Sequence, residues 1–349
     1  MTAPSYLPTL AERYEALRAQ DPKRYFRSLA AALGVSEAEL LVAVHAPRLT
    51  RLSLRDLPGL FGAIAAIGTV RTMTRNDDAV IEQDGTYRNL QFSPRGMGQT
   101  VGDLDLRIFG WRWQSAFAFR DETPRGIRYS FQFFDGTGTN IHKVFVDDVA
   151  AFERIVADWR AGDGLPLLDA VTAMAPSPDR PDAAVDTAAL QAAWDALQDT
   201  HDFHLLLQQQ QVGRLQALRL AGPERARRVE PAALEALLEL AKTQGERIMI
   251  FVGNHGLVQI FIGTIHRVAR TPGWLNILDP GFNLHVREEG VASVWIVRKP
   301  TRDGVVSSLE CYDAQGGLIV QLFGKRAEGE GAPVGWTRLV ETVEASCGA

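Results

Sequence analysis

Residues 76–145, moved forward by 178 positions, fall on residues 254–323 with fifteen identities in seventy and no gap. Average residue usage would give roughly four or five. The coincidences include Asn76/Asn254, Gly85/Gly263, Thr86/Thr264, Pro94/Pro272, Arg120/Arg298, Gly126/Gly304, Asp135/Asp313 and Phe145/Phe323. A duplicated chain has to fold the same way twice, and two copies are too few for a solenoid. Positions where the copies differ in chemistry then mark where function was kept or lost.

The duplication predicts two domains within 349 residues, a length too great for one ordinary core. We place an N-terminal repeat at 1–163, a linker at 164–185 and a C-terminal repeat at 186–349. The linker carries Pro166, Pro176, Pro178 and Pro181 among small residues. Residues 8–20 and 24–45 read as helices, the second broken near Gly34-Val35-Ser36, and 56–67 reads as another. From about Thr69 to Phe145 the pattern becomes short apolar or alternating runs. These are punctuated by Asp84-Gly85, Pro94-Arg95-Gly96, Pro124-Arg125-Gly126 and Asp135-Gly136, which are turn signals between strands. A helix over 147–159 closes the half. The second half repeats the order, with helices over 186–221 and 231–244 and strands over 247–323. The expected class is α+β, each half having helices packed on a large antiparallel sheet.

A formal net charge of −5 gives no general reason to bind nucleic acid or an anionic membrane, so any anion site must be local. No secretory h-region is present in the first twenty residues, and no apolar run approaches eighteen residues. Cys311 and Cys347 form no CxxC or CxxCH motif, which leaves covalent c-type haem and a cysteine zinc site without support. A reducing cytoplasm is the simplest compartment. There is no nucleophile elbow, phosphate loop or dinucleotide fingerprint.

Comparison of the copies is more specific. His201 stands opposite Lys23, His204 opposite Phe26, Arg214 opposite Ser36, Lys299 opposite Asp121, Gln321 opposite Lys143 and Arg326 opposite Asp148. The second copy therefore gathers histidines and cations that the first does not have. A histidine at a helix start, cations on facing elements and apolar strands suit a large flat ligand bearing carboxylates, with haem one option among several. Arg298 and Lys299 are adjacent, so on a strand they face opposite ways. Arg120 repeats Arg298, which points to a structural role for that position and leaves Lys299 free for ligand. Asp135/Asp313 and Gly126/Gly304 recur in both copies and read as hairpin chemistry.

Several strings carry a resemblance: Asn254-His255-Gly256, 274–287 (WLNILDPGFNLHVR), 295–301 (WIVRKPT), 303–310 (DGVVSSLE), Thr74-Arg75-Asn76, 105–109 (DLRIF) and 212–219 (VGRLQALR). They resemble the HemS/HmuS (ChuS-like) family of haem-utilisation proteins over almost the whole chain. The resemblance implies a cytoplasmic, internally duplicated protein that binds haem b, taken from an inner-membrane importer and either degraded or passed to a haem oxygenase. It implies His201, in Asp199-Thr200-His201, as the proximal iron ligand. Arg107 is implied as the distal arginine reaching across from the first half, with Arg214, Lys299, Gln321 and Arg326 around the propionates and rim. Phe323 stands where several relatives are expected to carry a tyrosine.

Each residue also has a plainer reading. His204, one turn from His201, is an alternative ligand or a surface residue. Arg107 lacks a free lone pair and suits hydrogen bonding to an iron-bound oxygen, or simply pairing with Asp103 or Asp105. His285, its repeat counterpart, reads as a hydrogen-bonded core residue. Two other functions stay open beside haem uptake and trafficking for iron acquisition: a haem-degrading monooxygenase with Arg107 as its catalytic group and an external electron donor, and a ligand-sensing or interaction module without haem.

Overall fold

The computed structural model describes residues 6–22, 24–162, 179–327 and 329–348. Most of the expected linker, and Lys23, lie outside the described residues. The chain divides into two compact units. Unit 1 draws on Met1–Arg75, Gln83–Met174 and Asn254–Val258; unit 2 draws on Asn76–Glu82, Ala175–Gly253 and Gln259–Ala349. Each unit thus takes a short segment from the other repeat. Both are α+β, with helices on an antiparallel sheet, as the duplication predicts.

In unit 1, five antiparallel strands lie in the order Leu49–Leu52, Ser115–Thr123, Gly126–Phe134, Asn140–Val146 and Val70–Arg75. Alternation along the strands sends side chains to two cores. Ala116, Ala118, Phe131 and Phe133 pack with Leu60, Phe61 and Ile64 of helix Leu57–Ala65 and with Phe152 and Ile155 of helix Val149–Trp159. Phe117, Phe119 and Phe134 face Ala38, Leu41 and Val42 of helix Glu37–His45. The predicted break after helix Phe26–Leu33 is made by Gly34, at φ 71°, a left-handed stop that suits glycine. Ser36 restarts the chain through a reciprocal capping box with Glu39.

Unit 2 repeats this frame with strands Ala226–Val229, Ser293–Thr301, Gly304–Tyr312, Leu318–Gly324 and Ile248–Gly253. Val294, Ile296, Leu309 and Cys311 pack against helices Ala233–Gln244 and Val334–Cys347. Trp295, Val297 and Tyr312 face the layer formed by helices Thr187–Asp195, Phe203–Gln210 and Arg214–Leu220. The final helix, whose buried Trp336, Leu339, Val340 and Val343 keep helical spacing, and the two short edge strands are not among the expected elements. Among the described residues no single helix is long and apolar enough to cross a membrane.

The matched glycines and aspartates do serve the hairpins. Gly126 and Gly304 take φ 115° and 120°. Asp135 Oδ1 accepts from the backbone N–H groups of Thr137 and Thr139, and Asp313 Oδ1 from those of Gln315 and Gly317. Asp84-Gly85 differs from expectation, because it ends strand Ala79–Gly85. A Cβ on Gly85 would stand 2.9 Å from Asp103 Cβ, so that glycine serves close packing. Each run of five strands has a bulge at the same repeat position, between Phe133 and Phe134 and between Cys311 and Tyr312. The residues skipped by the ladder, Ile141 and Ile319, give their carbonyls to Asn254 Nδ2 and Asn76 Nδ2, each at 2.8 Å.

Candidate functional site

Asp199 builds the His201 turn. Its backbone is extended, and its carboxylate accepts the His201 backbone N–H at 2.8 Å and lies 2.7 Å from His201 Nδ1. The short turn Thr200–Asp202 then feeds helix Phe203–Gln210. The His201 backbone N–H, aided by its side chain and by Arg326, holds Asp199 below the ordinary carboxylate range. An ionised Asp199 favours the tautomer with the proton on Nδ1, which leaves the Nε2 lone pair free on a side chain that is 86% exposed. Such an imidazole is ready to ligate a metal. His204 is exposed and turned back on the same bend, with Nδ1 2.7 Å from the His201 carbonyl.

Beneath the turn lies a closed ionic cluster. Glu310, fully buried on strand Gly304–Tyr312, receives Lys299 Nζ at 3.0 Å and Ser308 Oγ at 2.9 Å. Arg214 grips both of its oxygens, through Nη2 at 2.9 Å and Nε at 3.1 Å. The Tyr312 hydroxyl also donates to Glu310 and accepts from Arg214 Nε at 2.8 Å. Burial alone would raise the Glu310 carboxyl, but Arg214 and Lys299 outweigh it and hold it well below the usual range. Burial lowers Lys299 to about 8 against the opposing pull of Glu310. Burial and Glu310 push the Tyr312 phenol up, so it remains a donor.

Contrary to expectation, Lys299 is therefore not left free, since its ammonium has a buried carboxylate partner. The cluster as a whole keeps one net positive charge, from two cations and one anion. It also touches the His201 turn. Lys299 Nζ lies 4.5 Å and Arg214 Cζ 5.2 Å from the ring centre of Phe203, two residues past His201. Phe203 is itself braced edge-on by Trp194 at 4.8 Å.

Gln321 pairs with Glu310 across the ladder, and Phe323 pairs with Ser308, so both share the face of the ionic cluster. Phe323 meets Phe251 edge-on at 5.1 Å. Gln321, Phe323, Phe251 and Met249 are only half-buried, a ledge beside the helical layer with apolar and amide surface in reach of solvent. Arg326 lies 3.7 Å from Asp303 and donates to the Glu330 carbonyl at 3.2 Å.

Six of the seven expected residues thus belong to unit 2. Arg107 belongs to unit 1, on strand Asp105–Phe109. Its Nη1 is 2.5 Å from Asp105 Oδ1, the plain pairing the sequence allowed, and donates to the Leu106 carbonyl at 2.9 Å. His285 is hydrogen-bonded as expected, Nδ1 to Asn276 Oδ1 at 2.7 Å, with burial lowering its pKa. Arg298 and Arg120 are structural in both copies, pairing with Glu344 and Glu153.

Sequence reasoning missed Glu310, Tyr312, Phe203 and Asp199. The repeat held the signal for the first two: Glu310 stands opposite Gln132 and Tyr312 opposite Phe134. Following only histidines and cations left their counter-ion unseen.

The chain resembles known proteins over nearly its whole length. Residues 34–161 and 211–343 each match the haemin-degrading HemS.ChuX domain. The chain is 39% identical, over 94% of its length and 95% of the relative's, to the hemin transport protein HemS of Yersinia enterocolitica. It is 38% identical to the hemin transport protein HmuS of Yersinia pestis, covering 95% and 96%. Among solved structures, holo-PhuS, a heme-binding protein from Pseudomonas aeruginosa, superposes with a TM-score of 0.90 at 42% identity, covering 96% and 98%. ChuS, an E. coli heme oxygenase, gives 0.85 at 35%, covering 96% and 99%.

Proposed function

The chain belongs to the haemin-degrading HemS/ChuX domain family, and from that premise we propose that it binds one haem in unit 2, with His201 Nε2 on the iron. Its task is to accept imported haem, hold it and hand it on for iron acquisition. One observation carries the reading. The Asp199 carboxylate lies 2.7 Å from Nδ1 of a His201 side chain that is 86% exposed, beside a cluster with one net positive charge. A neutral imidazole and a cationic flank suit iron and propionates respectively. The haem proposed is haem b, held through an axial histidine without covalent attachment. Phe323 and Phe251 offer ring faces to the macrocycle, with Gln321 and Arg326 at its edge.

The assignment of Arg107 to the distal side rests on the resemblance carried by Asp105-Leu106-Arg107. Its partners are proposed to be an inner-membrane importer that delivers haem and an oxygenase that receives it, in the cytoplasm.

Hemin titration of wild type beside His201→Ala tests the core of this reading. A saturable, shifted Soret band that weakens or moves in His201→Ala is expected. No such band in wild type would sink haem binding and leave the ligand-sensing module. A band unchanged in His201→Ala would move the axial ligand elsewhere, with His204 next to examine.

The likeness to ChuS supports a second reading, in which the bound haem is the substrate of a haem-degrading oxygenase. Dioxygen and an external reductant are then consumed, with Arg107 as hydrogen-bond donor to the iron-bound oxygen. Incubation of the complex with ascorbate, or with NADPH and a reductase, in the presence of catalase separates the two. Loss of the Soret band favours degradation, whereas its survival with transfer of haem to a second protein favours trafficking.

A further inference from the structure

We propose that Glu310 is a positioning residue for the haem site: it orients Lys299 and Arg214 against the Phe203 ring and so sets the turn that presents His201. The proposal rests on the haem reading above. Its support is the continuity of contacts, each already in place before any ligand arrives. Glu310 meets four side chains from three elements: Arg214 on its helix, Lys299 on the neighbouring strand, and Ser308 and Tyr312 on its own strand. The neutral Gln321 faces it across the ladder. Both cations then press on Phe203, which starts the helix immediately after the His201 turn.

The duplication indicates that this cluster is not a requirement of the fold. The same sheet position in unit 1 carries Gln132, whose Nε2 lies 3.2 Å from Ser130 Oγ. Ser130 and Ser308 are equivalent, yet Arg214, Lys299, Glu310 and Tyr312 replace Ser36, Asp121, Gln132 and Phe134. Four substitutions that only make sense together, in the copy that also carries His201, point to function. A buried carboxylate between two cations also acts as an internal counter-ion. It keeps both cations in position in the absence of ligand, without water or a mobile anion having to do so.

Glu310→Gln tests this, because glutamine already occupies the matching position in unit 1 and fits the same pleat. Ferric haem is loaded on wild type, Glu310→Gln and His201→Ala. Three readouts follow: the Soret and visible signature of His201 ligation, the rate of haem loss to excess apomyoglobin, and the pH dependence of affinity. A changed ligation signature and haem loss about tenfold faster or more are expected for Glu310→Gln, in the range typical of supporting residues around metal ligands. The midpoint of affinity loss at alkaline pH should also move to lower pH, because Lys299 loses the carboxylate that favours its charge.

Tighter binding in Glu310→Gln would overturn the proposal, since it would make Glu310 a competitor of the propionates. So would lowered thermal stability with signature, loss rate and pH midpoint all unchanged, which would make the cluster purely structural. Failure of wild type to show His201-dependent ligation would refute the haem reading itself, and is distinguishable because it appears without any change at Glu310.

Discussion

Asn76 and Asn254 provide a quantitative check on how the duplication is built. Asn76 Nδ2 donates to the Gly253 and Ile319 carbonyls at 3.1 and 2.8 Å, and its Oδ1 accepts the Asp78 and Ala79 N–H groups at 3.0 and 2.8 Å. Asn254 repeats the set: Nδ2 to the Arg75 and Ile141 carbonyls at 3.0 and 2.8 Å, and Oδ1 from Gly256 and Leu257 N–H at 3.0 and 3.1 Å. Every partner of one is displaced by 178 residues from a partner of the other. Ile141 and Ile319 are the residues at the bulges of their strands. Replacing either asparagine by alanine removes four hydrogen bonds, each contributing roughly 0.5–1.5 kcal/mol net. Both sites are half-buried, so water recovers part of this, and a loss of about 2–4 kcal/mol is expected. For units of this size that corresponds to a fall in Tm of roughly 4–16 °C. Differential scanning calorimetry of Asn76→Ala, Asn254→Ala and wild type measures it. Nearly equal losses are expected, because the two environments are copies. A shift below about 2 °C in either, or one loss more than twice the other, would refute the reasoning.

Asp199→Asn should weaken ferric haem affinity by about tenfold or more, because the amide no longer fixes the proton on His201 Nδ1; equilibrium hemin titration checks this. His142 is fully buried, 2.8 Å from both Thr74 Oγ1 and Tyr87 Oη, and burial lowers its pKa to about 3. The unfolded chain takes up that proton near 6.5, so between pH 6.5 and 3 the unfolded form binds more protons and stability falls with pH. The slope attributable to His142 is at most roughly 1.4 kcal/mol per pH unit, and His142→Gln should flatten it in urea titrations across that window. Arg298→Ala should lower stability by about 1–3 kcal/mol through loss of the Glu344 pair while leaving the haem Soret band in place. A changed band would remove the separation between scaffold and site drawn from Arg120.

Much of the fold was legible because its signals are local. Gly34 stops a helix by its own backbone freedom, Ser36 and Glu39 cap the next within one turn, and Asp135 and Asp313 close hairpins with N–H groups two and four residues away. Comparing the copies also singled out the scaffold role of Arg298, which pairs with Glu344 as Arg120 does with Glu153. What could not be read was whom each charge meets. Lys299 looked available because its partner is eleven residues away across a hairpin, and Arg214 finds the same carboxylate 96 residues on.

The sequence by itself determined that the chain folds twice into one α+β plan and that the second copy holds the distinctive histidine and cations. Periodicity, turn residues and the 178-residue offset are properties of the linear order. Only the tertiary structure decided that residues 76–82 join unit 2 and 254–258 join unit 1, and that Glu310 unites Arg214 and Lys299 behind Phe203. Both depend on strand register and burial, which fix the distances between groups far apart in the chain and set the low-dielectric surroundings in which a single carboxylate can hold two cations.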